Sequence, residues 1–383
     1  MARKRFSGNK GEWSEPYVVL RMLADGRLHQ ANDQLLPSPN NFVYILGVKR
    51  GDVTACRSDD GVVVFEFLDS LGRKHKLQTH SSNLLVQADK LFKAICAVTD
   101  RKGAFELSDC AKELKFHGFS RLTNPAPKNF KVTKRDLLAT VKSPQTGLAE
   151  LGFSVKSELG APPTLLNASE PTNIVYRIKG LTKQQVDEIN GITQGNKIML
   201  RCAKIKELAQ SIEFEKYHSK VFADNLDLVD SALPAMVADL VKVHYFQQIL
   251  EPRSKVKGAQ RDADKLSKAV AALGVQKPYN SKSRANYCEI KIKHFLRACA
   301  LGLMPSEVWN GIDDASGGYI VVLPDGRLIA FYVYNTNLFE KYLFESTIFE
   351  RGSTSKHKFM TLYPDAESDD YFIKLNLQIR FNR

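Results

Sequence analysis

The segment GFSVKS (152–157) combines residues that could do chemistry. Ser154 and Lys156 are two positions apart, so they share one face of the strand that this alternating segment predicts. Asp136 begins the preceding predicted strand, and the turn SPQTG between the two brings the strands side by side. In metal-dependent nucleases a carboxylate of this kind binds Mg²⁺, and a lysine orients water or neutralises charge that develops on the phosphate. The spacing therefore predicts a nuclease site.

The pattern differs at two positions from the PD…(D/E)xK motif that such nucleases usually carry. Arg135 precedes Asp136 where proline is usual, and Ser154 stands where the motif has a second acid. A structural interpretation is therefore open as well. In that interpretation, Lys156 reaches solvent from a strand end and Asp136 only caps a turn.

A glutamate elsewhere in the chain could replace the missing acid. Glu15 ranks first, because nucleases of this kind often use a carboxylate from an N-terminal helix. Its alternative role is that of a first-turn glutamate that the helix dipole favours. Glu150 ranks second, because it lies on the same face of the predicted strand as Ser154. Glu12 and Glu158 rank behind these two.

Composition points to a polyanionic partner. The chain has 383 residues and a net charge of +13, from 55 Lys+Arg against 42 Asp+Glu. No apolar run approaches the roughly 18 residues that span a bilayer, and the basic start MARKRFSGNKGEW lacks the apolar region of a secretory signal. The six cysteines are scattered without a CxxC pair, which predicts neither disulfides nor zinc. We expect a cytoplasmic protein that binds nucleic acid and not a membrane.

Helices and strands are mixed along the chain, which predicts an α+β fold. Helices are predicted over 12–23 (capped by Ser14), 84–98, 106–116, most of 182–215, 230–250, 259–273 and 284–301, with ADGRL (24–28) as a turn. Strands are predicted over 41–48, 61–68, 74–79, the pair around SPQTG, 172–180, a hairpin around PDG and YFIKLNLQIRF. Four regions follow: an N-terminal helix with a small β/α part (1–125), a catalytic strand core with a DNA-facing loop (126–225), a helical region (226–310) and a C-terminal β region (311–383).

Several segments together resemble the HpaII-type restriction endonucleases. They are GNKGEWSEPYVVLRMLADGRL, LGFSVKSELGAPPTLLNAS with TNIVYRI, STSKHKF and IKLNLQIRF, which keep their order from residue 8 to residue 381. The resemblance implies a mixed-sheet nuclease core of restriction-endonuclease type with flanking helices. It also implies Mg²⁺-dependent cleavage of double-stranded DNA at a short G·C-rich palindrome such as CCGG, and a cognate DNA methyltransferase. Asp136 would be the metal-binding acid, with Glu15 as second ligand, and Lys156 the catalytic lysine. A palindromic target further predicts a homodimer on DNA.

Two polar segments are candidates for DNA contact. The loop after the catalytic strand offers Asn167, Ser169, Thr172 and Asn173, and the segment RGSTSKHKF (351–359) offers Ser353, Ser355, Lys356, His357 and Lys358. Alternatively, the first group only caps backbone, and the second is a solvated basic loop that contacts phosphates. The basic connections 253–257 and 277–284 are predicted to contact phosphates without reading sequence.

Two other functions compete with a restriction enzyme. Arg135 and Ser154 leave open a sequence-specific DNA-binding protein that derives from a nuclease fold and no longer cleaves. A structure-specific repair nuclease is the third possibility. Incubation with plasmid DNA and Mg²⁺ separates these functions by the fragments that appear.

Overall fold

The computed structural model describes most of the chain. The described residues are 6–51, 53–69, 71–99, 103–122, 133–250, 262–276, 279 and 285–382. Their contacts group the chain into two compact units. Unit 1 consists of Met1–Pro163, Ala300–Gly302 and Asp313–Phe339, and unit 2 consists of Thr164–Cys299, Leu303–Ile312 and Glu340–Arg383. The division into four regions stays a prediction.

The elements are numbered along the chain. The helices are α1 (Lys10–Asp25), α2 (Ser81–Ala97), α3 (Ser108–Phe116), α4 (Lys183–Asn190), α5 (Lys197–Leu208), α6 (Lys220–Val229), α7 (Leu233–Phe246), α8 (Leu266–Gln276), α9 (Tyr287–Leu301), α10 (Thr336–Glu345) and α11 (Thr354–His357), with a 3₁₀ turn at Gln248–Leu250. The strands are β1 (Arg27–Ala31), β2 (Pro37–Arg50), β3 (Val53–Arg57), β4 (Val62–Leu68), β5 (Lys74–His80), β6 (Leu137–Ser143), β7 (Gly147–Ser157), β8 (Thr164–Leu166), β9 (Asn173–Lys179), β10 (Ser211–Tyr217), β11 (Gly318–Val322), β12 (Leu328–Tyr332), β13 (Thr347–Phe349), β14 (Leu362–Pro364), β15 (Tyr371–Asn376) and β16 (Ile379–Phe381). The predicted α+β class is confirmed.

Unit 1 is built on a nine-stranded mixed sheet in the order β1-β12-β11-β7-β6-β2-β3-β4-β5. β1 pairs with β2 as well as with β12, so the strands from β1 round to β2 form a closed ring. Helix α1 contacts β1, β2 and β7, and it buries Trp13 and Tyr17 almost completely. The hydrophobic effect of these large side chains anchors α1 to the sheet.

Helix α1 begins earlier than the sequence predicted. Asn9 is its cap: its side chain accepts from the N–H of Glu12 at 3.1 Å, and the Glu12 carboxylate accepts from the N–H of Asn9 at 2.8 Å. Ser14, the predicted cap, lies inside the helix, where its hydroxyl donates to the carbonyl of Lys10 at 2.8 Å. The hydroxyl also bonds that of Ser157 on β7 at 2.7 Å, which fixes α1 against this strand.

Three strands position the predicted catalytic residues. β6 and β7 form the predicted antiparallel pair, in which Leu137 lies opposite Phe153. On its other side β7 pairs in parallel with β11, the first strand of the predicted PDG hairpin, so that Tyr319 lies opposite Ser154. Residues near the end of β7 are therefore held between strands on both sides.

Unit 2 contains two smaller sheets, β10-β9-β15-β14 and β13-β16-β8. Residues 211–215, the end of the segment predicted as mostly helical, belong to strand β10, because their pairing with buried β9 outweighs local propensity. The predicted strand YFIKLNLQIRF is two strands, β15 and β16, which belong to different sheets. Strands β1, β3, β8, β13 and β14 were not predicted.

Candidate active site and nucleic-acid interface

Asp136, Ser154 and Lys156 form one hydrogen-bonded group in unit 1. The backbone N–H of Asp136 donates to the carbonyl of Phe153 at 2.8 Å, which extends the β6–β7 pairing and places Asp136 beside Ser154. Oδ2 of Asp136 accepts from the Ser154 hydroxyl at 3.2 Å and from the N–H of Val155 at 2.6 Å. Nζ of Lys156 donates to Oγ of Ser154 at 3.0 Å. The structure thus brings together the three residues that the sequence pattern singled out.

Tyr319 supports the lysine and was not predicted. Nζ of Lys156 lies over the Tyr319 ring, 4.7 Å from its centroid, and Tyr319 is only 2% exposed. A cation over a desolvated aromatic ring is worth about 1–2 kcal/mol. The sequence contains no signal for this contact, because it depends on parallel pairing between two distant segments.

Glu15 belongs to the same electrostatic environment. Its carboxylate accepts from a guanidinium NH2 of Arg50 at 2.5 Å, and the side chains are 16% and 2% exposed respectively. Burial raises the pKa of Glu15 to about 7, Arg50 opposes the rise, and the nearby charge of Asp136 adds to it. Burial also lowers the pKa of Lys156, while Asp136 and Glu15 raise it. The hydrogen bond of 2.7 Å between Ser14 and Ser157, the chain neighbours of Glu15 and Lys156, holds this part of α1 against β7.

Arg50 is a further residue that sequence reasoning missed. It ends β2 next to Lys49, which lies opposite Leu138 on β6. Its guanidinium donates to Glu15 and also to the main-chain carbonyl of Leu122. A buried arginine requires such partners, so Arg50 holds the Glu15 carboxylate in place.

The other candidate acids lie elsewhere. Glu150 is exposed and lies opposite Thr140, four residues along β7 from Ser154, which corresponds to roughly 13 Å. The structure therefore does not bring Glu150 to the group of Asp136, Ser154 and Lys156. The Glu12 carboxylate caps the N-terminus of α1.

The two predicted DNA-contact segments are neighbours in unit 2. A Cβ atom added to Gly352 would lie 2.8 Å from Cβ of Ala168, so only glycine permits this approach. Asn167 is exposed next to Ala168. In the second segment, which we call the basic loop (351–359), Ser353 caps α11 by accepting from the N–H of Lys356 at 3.3 Å.

The side chains of the basic loop differ in exposure. Ser353, Ser355, Lys356 and Lys358 are exposed, and His357 is half-buried. Burial and the charge of Lys356 lower the pKa of His357. Nζ of Lys358 lies 3.2 Å from the Glu170 carboxylate, so part of its charge is neutralised within unit 2.

Thr172 and Asn173 do not reach the surface. Both are 0% exposed, which corrects the expectation that their side chains contact DNA. The Thr172 hydroxyl donates to the carbonyl of Ser169 at 2.9 Å and accepts from its N–H at 3.1 Å. Ser169 itself is half-buried. These polar residues stabilise the loop from inside, as the alternative interpretation required.

Comparison with known proteins decides the family. The model of the family described as HpaII restriction endonuclease matches residues 9–381. The type II restriction enzyme HpaII of Haemophilus parainfluenzae is 34% identical over 386 residues, covering 98% of this chain and 99% of that enzyme. The chain belongs to the HpaII restriction endonuclease family. No solved structure matches it significantly.

Membership in the HpaII family makes the chain a site-specific deoxyribonuclease. The family resemblance predicted from the quoted segments is therefore confirmed. This family membership favours a cleaving enzyme over a DNA-binding protein without catalytic activity.

The HpaII family implies a divalent metal, and the residues beside Lys156 fit one. Asp136 and Glu15 each offer a carboxylate, and the raised pKa of Glu15 reflects chiefly the cost of a buried negative charge, to which the charge of Asp136 adds. A divalent cation would remove that cost. Within the described ranges, no cluster of three or more His, Cys, Asp or Glu is arranged to hold a metal. Two carboxylates suffice for Mg²⁺, which usually keeps several waters and uses substrate phosphate as a ligand.

Two further expectations concern the basic connections between helices and the absence of a membrane-spanning segment. The predicted phosphate contacts at 253–257 and 277–284 lie outside the described residues, apart from Tyr279. Among the helices that the structure describes, none is long and apolar enough to span a bilayer.

Proposed function

We propose that this enzyme hydrolyses double-stranded DNA with Mg²⁺ at a short G·C-rich palindrome such as CCGG. The observation that carries the proposal is the hydrogen-bonded group of Asp136, Ser154 and Lys156. The hydrogen bond between Ser14 and Ser157 holds α1 against the same strand, and α1 carries the buried carboxyl group of Glu15. This carboxyl group replaces the acid that is missing at Ser154. The strands β6, β7 and β11 with helix α1 would then be the catalytic core of a restriction-endonuclease fold.

Each residue of the group has a chemical role in this proposal. Asp136 and Glu15 would hold the ion, and bound Mg²⁺ would polarise the scissile phosphate and lower the pKa of the attacking water. Lys156 stabilises the charge that develops on the phosphate, because its ammonium group lies next to the carboxylates. Ser154 and Tyr319 orient Lys156, through a hydrogen bond and a cation–π contact respectively.

Recognition is assigned to unit 2. Asn167, Ser353, Ser355, Lys356 and His357 would contact base edges or phosphates, because two loops present them side by side. Lys358 would add a phosphate contact. A palindrome has two identical half-sites, so we propose that a homodimer binds it. A cognate methyltransferase would protect host DNA, and the free cysteines suit a cytoplasmic enzyme.

Incubation with plasmid DNA tests the proposal. With Mg²⁺ we expect discrete fragments whose ends map to one short palindrome, and with EDTA no cleavage. Methylation of the mapped site should protect the DNA. Retained binding without cleavage would instead favour the non-catalytic alternative, and cleavage only at junctions or flaps a repair nuclease.

A further inference from the structure

The backbone just after α11 adopts an unusual conformation. Lys358 has φ of 51° and Met360 has φ of 66°, both in the left-handed region that residues with a Cβ atom disfavour. Met360 is also buried, at 1% exposed. Such conformations persist only where the surroundings fix them, and they cluster at sites where precise geometry matters.

Buried asparagines fix the N-terminal side of this strained backbone. Nδ2 of Asn173 donates to the carbonyl of His357, immediately before Lys358, at 2.9 Å. Nδ2 of Asn376 in turn donates to Oδ1 of Asn173 at 2.7 Å. Both asparagines are essentially inaccessible to solvent, at 0% and 2% exposed.

Asn376, the partner of Asn173, also fixes the segment that follows Asn167 and contains Ser169 and Thr172. Nδ2 of Asn376 lies 2.7 Å from the carbonyl of Ser169 and 3.1 Å from the Thr172 hydroxyl. The basic loop and the Asn167 segment are therefore tied to one buried centre. The close packing of Gly352 on Ala168 joins them a second time.

A second set of contacts fixes the C-terminal side of the strained backbone. The N–H of Met360 donates to the carbonyl of Lys374 at 2.9 Å. The carbonyl of Met360 accepts from the Arg201 guanidinium at 2.5 Å. Arg201 is 7% exposed and also donates to the carbonyls of Asn190 and Ile192. These hydrogen bonds hold the backbone on both sides of Phe359 in one conformation.

We infer that Asn173 and Asn376 are positioning residues for sequence recognition. They fix the exposed side chains of α11 and Asn167 relative to each other, so that only a matching base sequence satisfies all of them. Preorganisation of this kind reduces the entropy lost on binding and sharpens discrimination between sequences. The inference rests on the proposed function, in which these exposed side chains contact DNA.

If Asn173 only stabilised the fold, its replacement would lower stability without changing the discrimination between sequences. Asn225 provides the matched control for this case. Asn225 is another buried asparagine of unit 2, at 2% exposed. Its Nδ2 donates to the carbonyls of Met304 and Glu307, and its Oδ1 accepts from the N–H of Trp309 at 2.9 Å. It stabilises a different loop by the same chemistry.

The test measures affinity for two short duplexes in Ca²⁺, one with the palindrome that the wild-type enzyme cuts and one with its bases scrambled. We expect Asn173→Ala to lower the ratio of the two affinities by about tenfold or more, equivalent to about 1.4 kcal/mol. Affinity for the scrambled duplex should stay within about twofold. Asn225→Ala should lower the melting temperature similarly but leave the ratio within the same margin. An unchanged ratio for Asn173→Ala, or an equal loss for Asn225→Ala, overturns the inference.

Two further variants test the same positioning role. If Asn173→Ala does not fold, Gly352→Ala replaces it, because the added methyl group displaces the basic loop from Ala168 without removing a buried hydrogen bond. It should lower the ratio as well, and an unchanged ratio contradicts the inference. Lys356→Ala tests the underlying function. If Lys356→Ala changes neither affinity, the proposed DNA contact itself is wrong; if it weakens binding while Asn173→Ala keeps the ratio, only the positioning role is wrong.

Discussion

Glu15→Gln provides a quantitative test of the proposed acid pair without any DNA. Burial raises the pKa of Glu15 from 4.5 to about 7. Between these pH values the folded protein keeps a proton that the unfolded chain has lost. The free energy of unfolding therefore falls as the pH rises through this window and levels off above about pH 7. At roughly 1.4 kcal/mol per pKa unit, Glu15 alone accounts for a loss of about 3 kcal/mol.

Glutamine has the shape of glutamate and still accepts a hydrogen bond from Arg50, but it does not titrate. In EDTA, the difference in unfolding free energy between Glu15→Gln and the wild type should grow in favour of the variant, by up to about 3 kcal/mol between about pH 5 and about pH 8. Urea unfolding at each pH measures this difference. Groups that titrate alike in both proteins contribute equally to the two unfolding free energies, so their contributions cancel in this difference.

Glu150→Gln is the matched control, because Glu150 is an exposed carboxylate on the catalytic strand. The substitution removes a carboxylate without touching the contact between Glu15 and Arg50, so the gain of Glu15→Gln with pH should exceed that of Glu150→Gln. Adding Mg²⁺ should stabilise the wild type more at about pH 8 than at about pH 5, since a cation binds the ionised carboxylate, and should have little effect on Glu15→Gln. If Glu15→Gln and the wild type change in parallel across this pH range, Glu15 is not a buried acid next to Asp136.

Three further predictions concern individual side chains. Lys156→Ala should lower the cleavage rate constant by roughly 100-fold or more with DNA binding nearly unchanged. Lys142→Ala is the control, because Lys142 is an exposed lysine at the far end of the same strand pair, and full activity of Lys156→Ala would refute the assignment. Tyr319→Leu should reduce the rate by roughly tenfold by removing the cation–π contact, whereas Tyr319→Phe should keep most of it, as single-turnover cleavage measures. Lys358→Gly should raise the unfolding free energy by up to about 1 kcal/mol, because glycine accepts its φ of 51°, and a lower melting temperature would argue against strain there.

The sequence predicted the pairing of β6 with β7 because all its determinants are local. Alternation places Ser154 and Lys156 on one face, and a short turn returns the chain to Asp136. Local patterns did not predict the strands and contacts that depend on pairing between segments far apart in the sequence. Strand β1 is short and gains its partners from β2 and from β12, which lies at the other end of the chain. The Arg50–Glu15 pair depends on the same ring of strands and has no sequence signature.

The same difference between local and distant determinants separates the predicted DNA contacts that are exposed from those that are buried. A loop rich in Asn, Ser and Thr predicts surface exposure, and Asn167 follows this expectation. Asn173 does not, because β9 pairs with β15 and places Asn173 opposite Asn376. Both ends of the Asn173 amide have hydrogen-bond partners, His357 and Asn376, so Asn173 can be buried at little cost and polarity alone misassigned it.

The serine at position 154 is consistent with an acid that comes from α1. A third carboxylate beside Asp136 and Glu15 would add negative charge where the pKa of Glu15 is already raised to about 7. A hydroxyl avoids this cost and can do what a carboxylate cannot, because it donates to Asp136 while it accepts from Lys156. The departure from the usual motif is thus linked to Arg50, whose charge makes a buried glutamate on α1 tolerable. On this argument, restoring an acid with Ser154→Asp would not improve the enzyme: it would raise the pKa of Glu15 further and break the contact between the acid and the lysine.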